Sequence, residues 1–351
     1  MASDAYALLP EDWAAFCKEA GFPAFRAKQI VQGLYKDRIQ DWSELTTLPG
    51  AMREKLEAEL PLTTLKAVTR TPSGTDGVTK FLLEAQDGER IETVWIPADG
   101  RVTQCISSQV GCDMHCAFCA SGQLGCVRSL TAAEIVAEVM VLSREMGQYP
   151  NNIVVMGMGE PFVNYDAVIR ALRILNCQQG INIGARHITL STCGIVPGIE
   201  RLAEEGVQFE LSVSLHAPND TLRSQLMPVN RRWKINELLA ACDAYTAATG
   251  RIITYEYTLV RNFNDRLSHA AELIRLLRGR KARVNLIPLS PVAEFKGETP
   301  SHADCLAFLD ALLKAGIHTT MRRSRGKQAD AACGQLRLRK IKEEQHGNKV
   351  L

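Results

Sequence analysis

From residue 101 onward the chain alternates short β-prone runs with helical stretches, and this alternation restricts the fold more than any other feature. Strands are expected at residues 102–107, 153–156, 187–191, 209–215, 252–259, 284–287 and 319–321. Helices are expected between them, near 165–176, 198–205, 234–248, 265–279 and 302–315. One more starts at Thr131, where Thr131-Ala132-Ala133-Glu134 forms a capping box. Repeated βα units give a parallel sheet with helices packed outside. Six or seven units suit an open, partial (β/α)6-type barrel better than a closed eight-unit one.

The strand faces indicate what such a barrel holds. Phe209, Leu211, Val213 and Leu215 share one face; Glu210, Ser212, Ser214 and His216 share the other. Ile188 and Leu190 oppose Thr189 and Ser191, and Tyr255 and Tyr257 oppose Glu256 and Thr258. A strand buried under helices on both sides would be apolar throughout. Apolar residues therefore face the helices, and polar ones line an interior that needs a polar ligand or water. Sites in such barrels lie at the C-terminal ends of the strands.

Residues 1–60 read as a small helical accessory domain with basic residues. Phe25, Ile30 and Leu34 are expected on one buried face, with Arg26, Lys28 and Lys36 outside. A second helical region over 45–60 is expected to be interrupted at Pro49-Gly50. Residues 61–100 read as a β-extension, with strands at 80–83 and 89–96 joined by an Asp87-Gly88 turn. The barrel is expected over 101–340, with a tail at 341–351. The chain has 351 residues, and its net charge of +2 excludes a wholly basic nucleic-acid binder, so any RNA contact is local. No apolar run approaches the roughly 20 residues of a membrane span, and no secretory signal is visible. An odd count of 11 cysteines spread over a long chain argues for a reducing, cytoplasmic setting.

Gly111–Cys119 reads Gly-Cys-Asp-Met-His-Cys-Ala-Phe-Cys, which sets Cys112, Cys116 and Cys119 at C-x3-C-x2-C spacing. A zinc site usually takes four ligands. Three thiolates in one loop suit an iron–sulfur cluster, with one iron left for a small molecule. The spacing resembles the radical S-adenosylmethionine (SAM) motif. The alternatives are a structural zinc site or inert buried thiols. Gly111, Phe118 and Ser121-Gly122 suit a backbone wrapped around a cluster. One unit later stands Gly157-Met158-Gly159-Glu160-Pro161, where glycines admit a ligand to the backbone and Glu160 is placed to accept from an amino group. An ordinary tight turn is the plain alternative.

Together, residues 105–119, Gly157–Pro161, Leu190–Thr192, Ser214-Leu215-His216-Ala217-Pro218-Asn219, Asn285–Pro288 and Ala331-Ala332-Cys333-Gly334-Gln335-Leu336 resemble the RlmN/Cfr family of radical SAM RNA adenosine methyltransferases. The resemblance runs from about residue 22 almost to the C-terminus. It implies a radical SAM partial barrel with an N-terminal helical domain, and a [4Fe–4S] cluster on Cys112, Cys116 and Cys119. SAM, two molecules per turnover, would lie on Gly159, Glu160, Ser191, Ser214, Leu215 and His216. Cys333 would carry the methyl group, Cys105 would resolve it through a transient disulfide, and Glu92 would accept a proton. The substrates implied are adenosine C2 in 23S ribosomal RNA at the peptidyl transferase centre and in transfer RNA beside the anticodon. An external one-electron donor such as flavodoxin or ferredoxin is implied, with a monomeric enzyme.

Two positions depart from the family pattern: Ser290 stands where an asparagine often contacts SAM, and Gln328-Ala329 where Asp-Ile is usual. The rival readings are a C8-methyltransferase of the Cfr type, a radical SAM activase of a protein partner, and a zinc-stabilised RNA-binding module. Residues 321–327 form a basic run suited to RNA phosphates. Cys17, Cys126, Cys177, Cys193, Cys242 and Cys305 are expected to be buried small hydrophobes, and His115 to be exposed.

Overall fold

The computed structural model describes residues 4–62, 65–74, 76–123, 125–290 and 295–322. Cys333, Gln328-Ala329, most of the basic run and the C-terminal tail lie outside the described residues. The N-terminal helices are α1 (Pro10–Glu19), α2 (Arg26–Gln32) and α3 (Gly50–Glu59). Proline opens α1, and Asp12 turns back to accept the Leu9 N–H at 2.8 Å, which satisfies one of the donors a helix start leaves free. Trp13 and Trp42 meet edge to face at 6.0 Å in a core with Ile30, Leu34, Met52 and Leu56. Phe25 corrects the sequence expectation. It precedes α2 rather than lying on its apolar stripe, is 60% exposed, and has the Arg26 guanidinium 4.8 Å from its ring. Pro49-Gly50 interrupts nothing, because α3 begins there.

The strands are β1 (Lys66–Pro72), β2 (Thr79–Glu84), β3 (Arg90–Ala98), β4 (Arg101–Ile106), β5 (Gln109–Gly111), β6 (Cys126–Ser129), β7 (Asn152–Val155), β8 (Ile188–Thr192), β9 (Glu210–Ser214), β10 (Ile253–Leu259), β11 (Ala282–Pro288) and β12 (His318–Met321). The remaining helices are α4 (Ala132–Glu145), α5 (Tyr165–Asn176), α6 (Val196–Glu204), α7 (Asp220–Leu226), α8 (Ile235–Thr249), α9 (Leu267–Leu277) and α10 (His302–Lys314). Thr131 caps α4, with Glu134 reaching back, as its capping box requires.

Ten strands form one sheet in the order β1-β2-β3-β4-β7-β8-β9-β10-β11-β12. Pairing is parallel from β4 through β12 and antiparallel from β1 to β4. The parallel part is the open barrel expected from the βα repeats. The β-extension continues into the main sheet: β3 pairs with β4, Val94 opposite Cys105, and so prolongs the barrel wall.

The two faces divide as the alternation implies. Outward, Tyr257 packs its ring on Phe308 of α10 at 5.3 Å. Inward, Glu256 accepts from Asn285 at 2.8 Å, and Asn285 accepts from Thr320 at 3.1 Å. These bonds satisfy polar groups that an apolar interior would leave stranded. The helical N-terminal segment rests on α4 and α5. Arg144 donates to the carbonyl of Ile39 and to Tyr6 Oη, Tyr149 Oη donates to the carbonyl of Tyr35, and Arg170 pairs with Asp12. Among the described residues no helix is long and apolar enough to cross a membrane.

Candidate active site

The cluster-type loop hangs from the β5–β6 hairpin. Gly111 has φ +89°, and a Cβ there would overlap the Gly125 carbonyl, so glycine is required for the close approach. Cys112 N–H donates to that same carbonyl at 3.0 Å. The Asp113 carboxylate accepts the Cys126 N–H at 2.6 Å, and Ala117 N–H donates to Leu226 at the end of α7 at 2.8 Å. His115 is exposed, as expected, in the left-handed region at φ +50°, with Nδ1 3.1 Å from the Gly122 carbonyl. Phe118 meets the His216 ring edge-on at 4.7 Å, locking the loop to the end of β9.

Burial pushes the Cys112 thiol up to about 12 and the Cys116 thiol well above its ordinary value, with the neighbouring cysteine sulfurs raising both further. A metal charge beside such thiols offsets the cost of burial and favours the thiolate form. Among the described residues no three His, Cys, Asp or Glu side chains converge on a single-ion site. A cubane needs no such convergence, because each thiolate takes a different iron. The donor set therefore fits a cluster.

The Gly157–Pro161 stretch follows β7, as expected, but its glycines serve the chain itself. A Cβ at Gly157 would lie 2.6 Å from Ser107 Oγ, and one at Gly159, where φ is +103°, would lie 2.5 Å from Ser108 Oγ. The Met158 carbonyl accepts the Ser108 and Gln109 N–H groups at 2.8 and 3.2 Å. The turn is thereby stitched to the segment leading into the cysteine loop. Gly159→Ala is expected to lower the unfolding free energy of the metal-free protein by about 2 kcal/mol, from backbone strain and overpacking. Urea unfolding checks this, and a variant of unchanged midpoint contradicts it.

Glu160 is buried. Its Oε2 accepts the Cys193 N–H at 2.7 Å, and its Oε1 accepts the Phe162 N–H at 3.1 Å. Burial raises its carboxyl above the usual range, opposed by those backbone donors. Ser191 and Ser214 are half-buried at the ends of β8 and β9, Ser191 level with Ser212. Leu215 is wholly buried, its N–H donating to the Glu256 carbonyl at 3.0 Å and its own carbonyl accepting from Ala217 N–H at 2.8 Å. Ser290 is exposed just past β11.

His216 sits at φ +55°. Its Nδ1 accepts the Thr258 N–H at 2.9 Å, which holds the ring neutral. Burial, with a smaller push from Arg223, takes its pKa down to about 3. The unfolded imidazole titrates near 6.5, so this contribution is complete above that pH and is lost as pH falls towards 3. Between pH 6.5 and 5.5 the metal-free protein is expected to lose ~1 kcal/mol more than a His216→Asn variant. Equal losses in urea unfolding would contradict it.

Cys105 is buried near the C-terminal end of β4, opposite Val94. Glu92, two residues from Val94 on β3, lies on the same face. Its carboxylate is paired with Lys80 of β2 at 3.2 Å, both side chains buried. Ser107 Oγ donates to the Glu92 carbonyl at 2.7 Å, and both oxygens of buried Glu138 on α4 accept the Ser107 N–H. Glu92, Cys105 and the cysteine loop are thus held around one short segment. Nothing in the sequence marks Lys80 or Glu138 as a buried charge.

Cys193 is buried, yet it belongs to the site, packed with Cys116, Phe118, Leu226 and Met227. Cys126 and Cys177 are half-buried rather than buried. Arg223 of α7 is wholly buried behind the loop.

Residues 106–277 match the Radical SAM superfamily, and residues 7–61 match the ribosomal RNA large subunit methyltransferase N-terminal domain. The chain is 46% identical to the "Probable dual-specificity RNA methyltransferase RlmN" of Halalkalibacterium halodurans over 97% of this chain and 94% of that protein. It is 45% identical to the protein of the same name from Symbiobacterium thermophilum over 94% of this chain and 90% of that one. The crystal structure of a radical SAM methyltransferase from Sphaerobacter thermophilus superposes with a TM-score of 0.90 at 46% identity, covering 95% of this chain and 98% of that one. With the barrel, the cysteine loop and the N-terminal helices all matched over nearly the whole length, the chain belongs to the RlmN family of radical SAM methyltransferases.

Proposed function

We propose that the enzyme methylates C2 of adenosine in 23S ribosomal RNA, at the peptidyl transferase centre, and in transfer RNA beside the anticodon. The observation that carries this reading is the meeting of the cysteine loop, the Glu160 turn and the Cys105–Glu92 face at the C-terminal ends of one parallel sheet. Family membership leaves no room for a glycyl-radical activase or a zinc-stabilised RNA-binding module. The RlmN name of the relatives favours C2 over C8.

Cys112, Cys116 and Cys119 hold the cluster, and Gly159, Glu160, Ser191, Ser214, Leu215 and His216 hold SAM. Once bound, cluster and cofactor would supply the one-electron chemistry that activates a methyl group parked on the protein. Cys333, acting as a thiolate, takes that methyl group from a first SAM. The target base leaves its stack to reach the barrel mouth. After the carbon joins the base, the adduct gives up one electron and Glu92 takes the C2 proton. The Cys105 thiolate then attacks the Cys333 sulfur and the sulfur–carbon bond breaks, closing a disulfide and freeing the RNA. The electron pair of that bond takes a proton to complete the methyl group, and two electrons from the external donor later reduce the disulfide. The Lys80 ammonium is the counter-charge to Glu92. Electrons come from an external one-electron donor, and the enzyme works as a cytoplasmic monomer.

The test is mass spectrometry of nucleosides from RNA incubated anaerobically with enzyme, SAM and a reductant. The expected product is 2-methyladenosine. 8-Methyladenosine would move the enzyme to the C8 reaction, and unmodified RNA in the presence of a full cluster would overturn the proposal.

A further inference from the structure

One charge near the site is used by none of these steps. Arg223 is fully buried on α7. Its Nε donates to the Leu215 carbonyl at 3.2 Å, its Nη1 to Asn230 Oδ1 at 2.9 Å, and its Nη2 to the carbonyls of Cys193 and Ser214 at 2.7 and 3.0 Å. Every partner is neutral. Among the described residues no carboxylate lies within ion-pair reach, and Asp220 on the same helix gives its Oδ1 to the Ile235 N–H. A buried cation with only neutral partners is costly. Carbonyls at the ends of two strands can be tied by an uncharged amide at less cost. A full positive charge in that place points to an anion beside it in the loaded enzyme.

The neighbourhood says which anion. The cysteine loop is bonded to the end of the helix that carries Arg223, Ala117 N–H to the Leu226 carbonyl. Leu226 and Met227 pack against Cys116 and Phe118. Four of the five guanidinium donors are spent on protein, so the group acts through its field rather than as a ligand.

We infer, on the assignment of Cys112, Cys116 and Cys119 as cluster ligands, that Arg223 is the built-in counter-charge of the cluster and raises its reduction potential. Reduction moves one electron from an external one-electron donor into the cluster, with no bond made or broken and no proton taken up. The added negative charge is stabilised by a fixed cation in a low-dielectric wall. Arg223 is a positioning residue in this sense: wholly buried and bonded to protein carbonyls, it acts on the cluster through its field.

The experiment titrates the cluster with dithionite and redox mediators, following the reduced cluster by electron paramagnetic resonance, with iron and sulfide counted in each protein. Wild type is compared with Arg223→Gln, Arg223→Lys and Asn230→Asp. The last sets a carboxylate against the guanidinium with almost no change of shape. At the potential where wild type is half reduced, the reduced-to-oxidised ratio is expected to fall at least about tenfold in Arg223→Gln and in Asn230→Asp, or about 59 mV for one electron. Arg223→Lys keeps the charge and is expected to stay near wild type. Loss of the cluster from the Gln and Asp variants, with retention in Arg223→Lys, would also support a requirement for charge. Unchanged potentials in the variants that hold a cluster would overturn the inference, as would loss of the cluster from all three, Lys included. Wild type without iron and sulfide would refute the ligand assignment instead, which is a separate failure.

Discussion

Cys116→Ala is expected to yield a folded, colourless protein that neither binds a cluster nor cleaves SAM. Cys116 is the middle ligand of the proposed three, on a loop held in place by backbone bonds from Cys112 to Gly125 and from Ala117 to Leu226. Those bonds do not involve the sulfur, so the loop keeps its path when the thiol is removed. The residue is half-buried, and trimming a small hydrophobe there changes metal-free stability by only ~1 kcal/mol or less. The chemistry does not survive so lightly. Partners that merely orient a metal ligand cost 10–100-fold when removed, so loss of a ligand itself is expected to exceed about 100-fold in deoxyadenosine formation. Iron and sulfide analysis after anaerobic reconstitution checks the result. A variant with a full cluster and normal deoxyadenosine would remove Cys116 from the ligand set.

The second large effect is expected at Cys333. Adenine C2 is a poor nucleophile, so direct polar transfer from SAM is unfavourable, and the methyl group must first rest on a protein nucleophile. Cys333→Ala is expected to retain iron, sulfide and SAM binding, because Cys112, Cys116, Cys119 and Glu160 are untouched. Methyl transfer to RNA is expected to vanish into background, since the carrier is gone rather than weakened. Mass spectrometry of the intact wild-type protein after incubation with SAM would show one added methyl group, and the variant would show none. Methylated RNA from Cys333→Ala would place the carrier elsewhere.

Much of this architecture is legible in the residues because the barrel strands carry a two-sided code. Leu211 and Val213 point at helices while Ser212 and Ser214 point inward, and such alternation sets register as well as class. Thr131 and Glu134 mark the start of α4 to the residue. The C-x3-C-x2-C spacing is legible for a different reason: a short loop that offers three thiolates serves few purposes. Other parts are hidden for physical reasons. β5 and β6 are only three and four residues long and run through glycines and cysteines, so no period develops. β1 is largely exposed and lacks an apolar face. α7 spans seven residues, too few to display a stripe. Lys80, Glu138 and Arg223 read as surface charges, and only the fold shows that each is buried with partners. Gly157 and Gly159 also make room for the chain's own Ser107 and Ser108, a close approach that only the fold displays.

The methyl-carrier account stands or falls on Cys105. It is buried near the end of β4, on the same face as Glu92 and joined through Ser107 to the segment that leads into the cysteine loop. If its thiol resolves the intermediate, Cys105→Ala must still load Cys333, still join the carbon to the base, and then stop. Denaturing gel electrophoresis of Cys105→Ala, incubated anaerobically with SAM, reductant and labelled RNA, should show RNA migrating with the protein in nearly equimolar amount, in a band that nuclease shortens and thiols do not release. Normal turnover of Cys105→Ala with no such band would contradict the account.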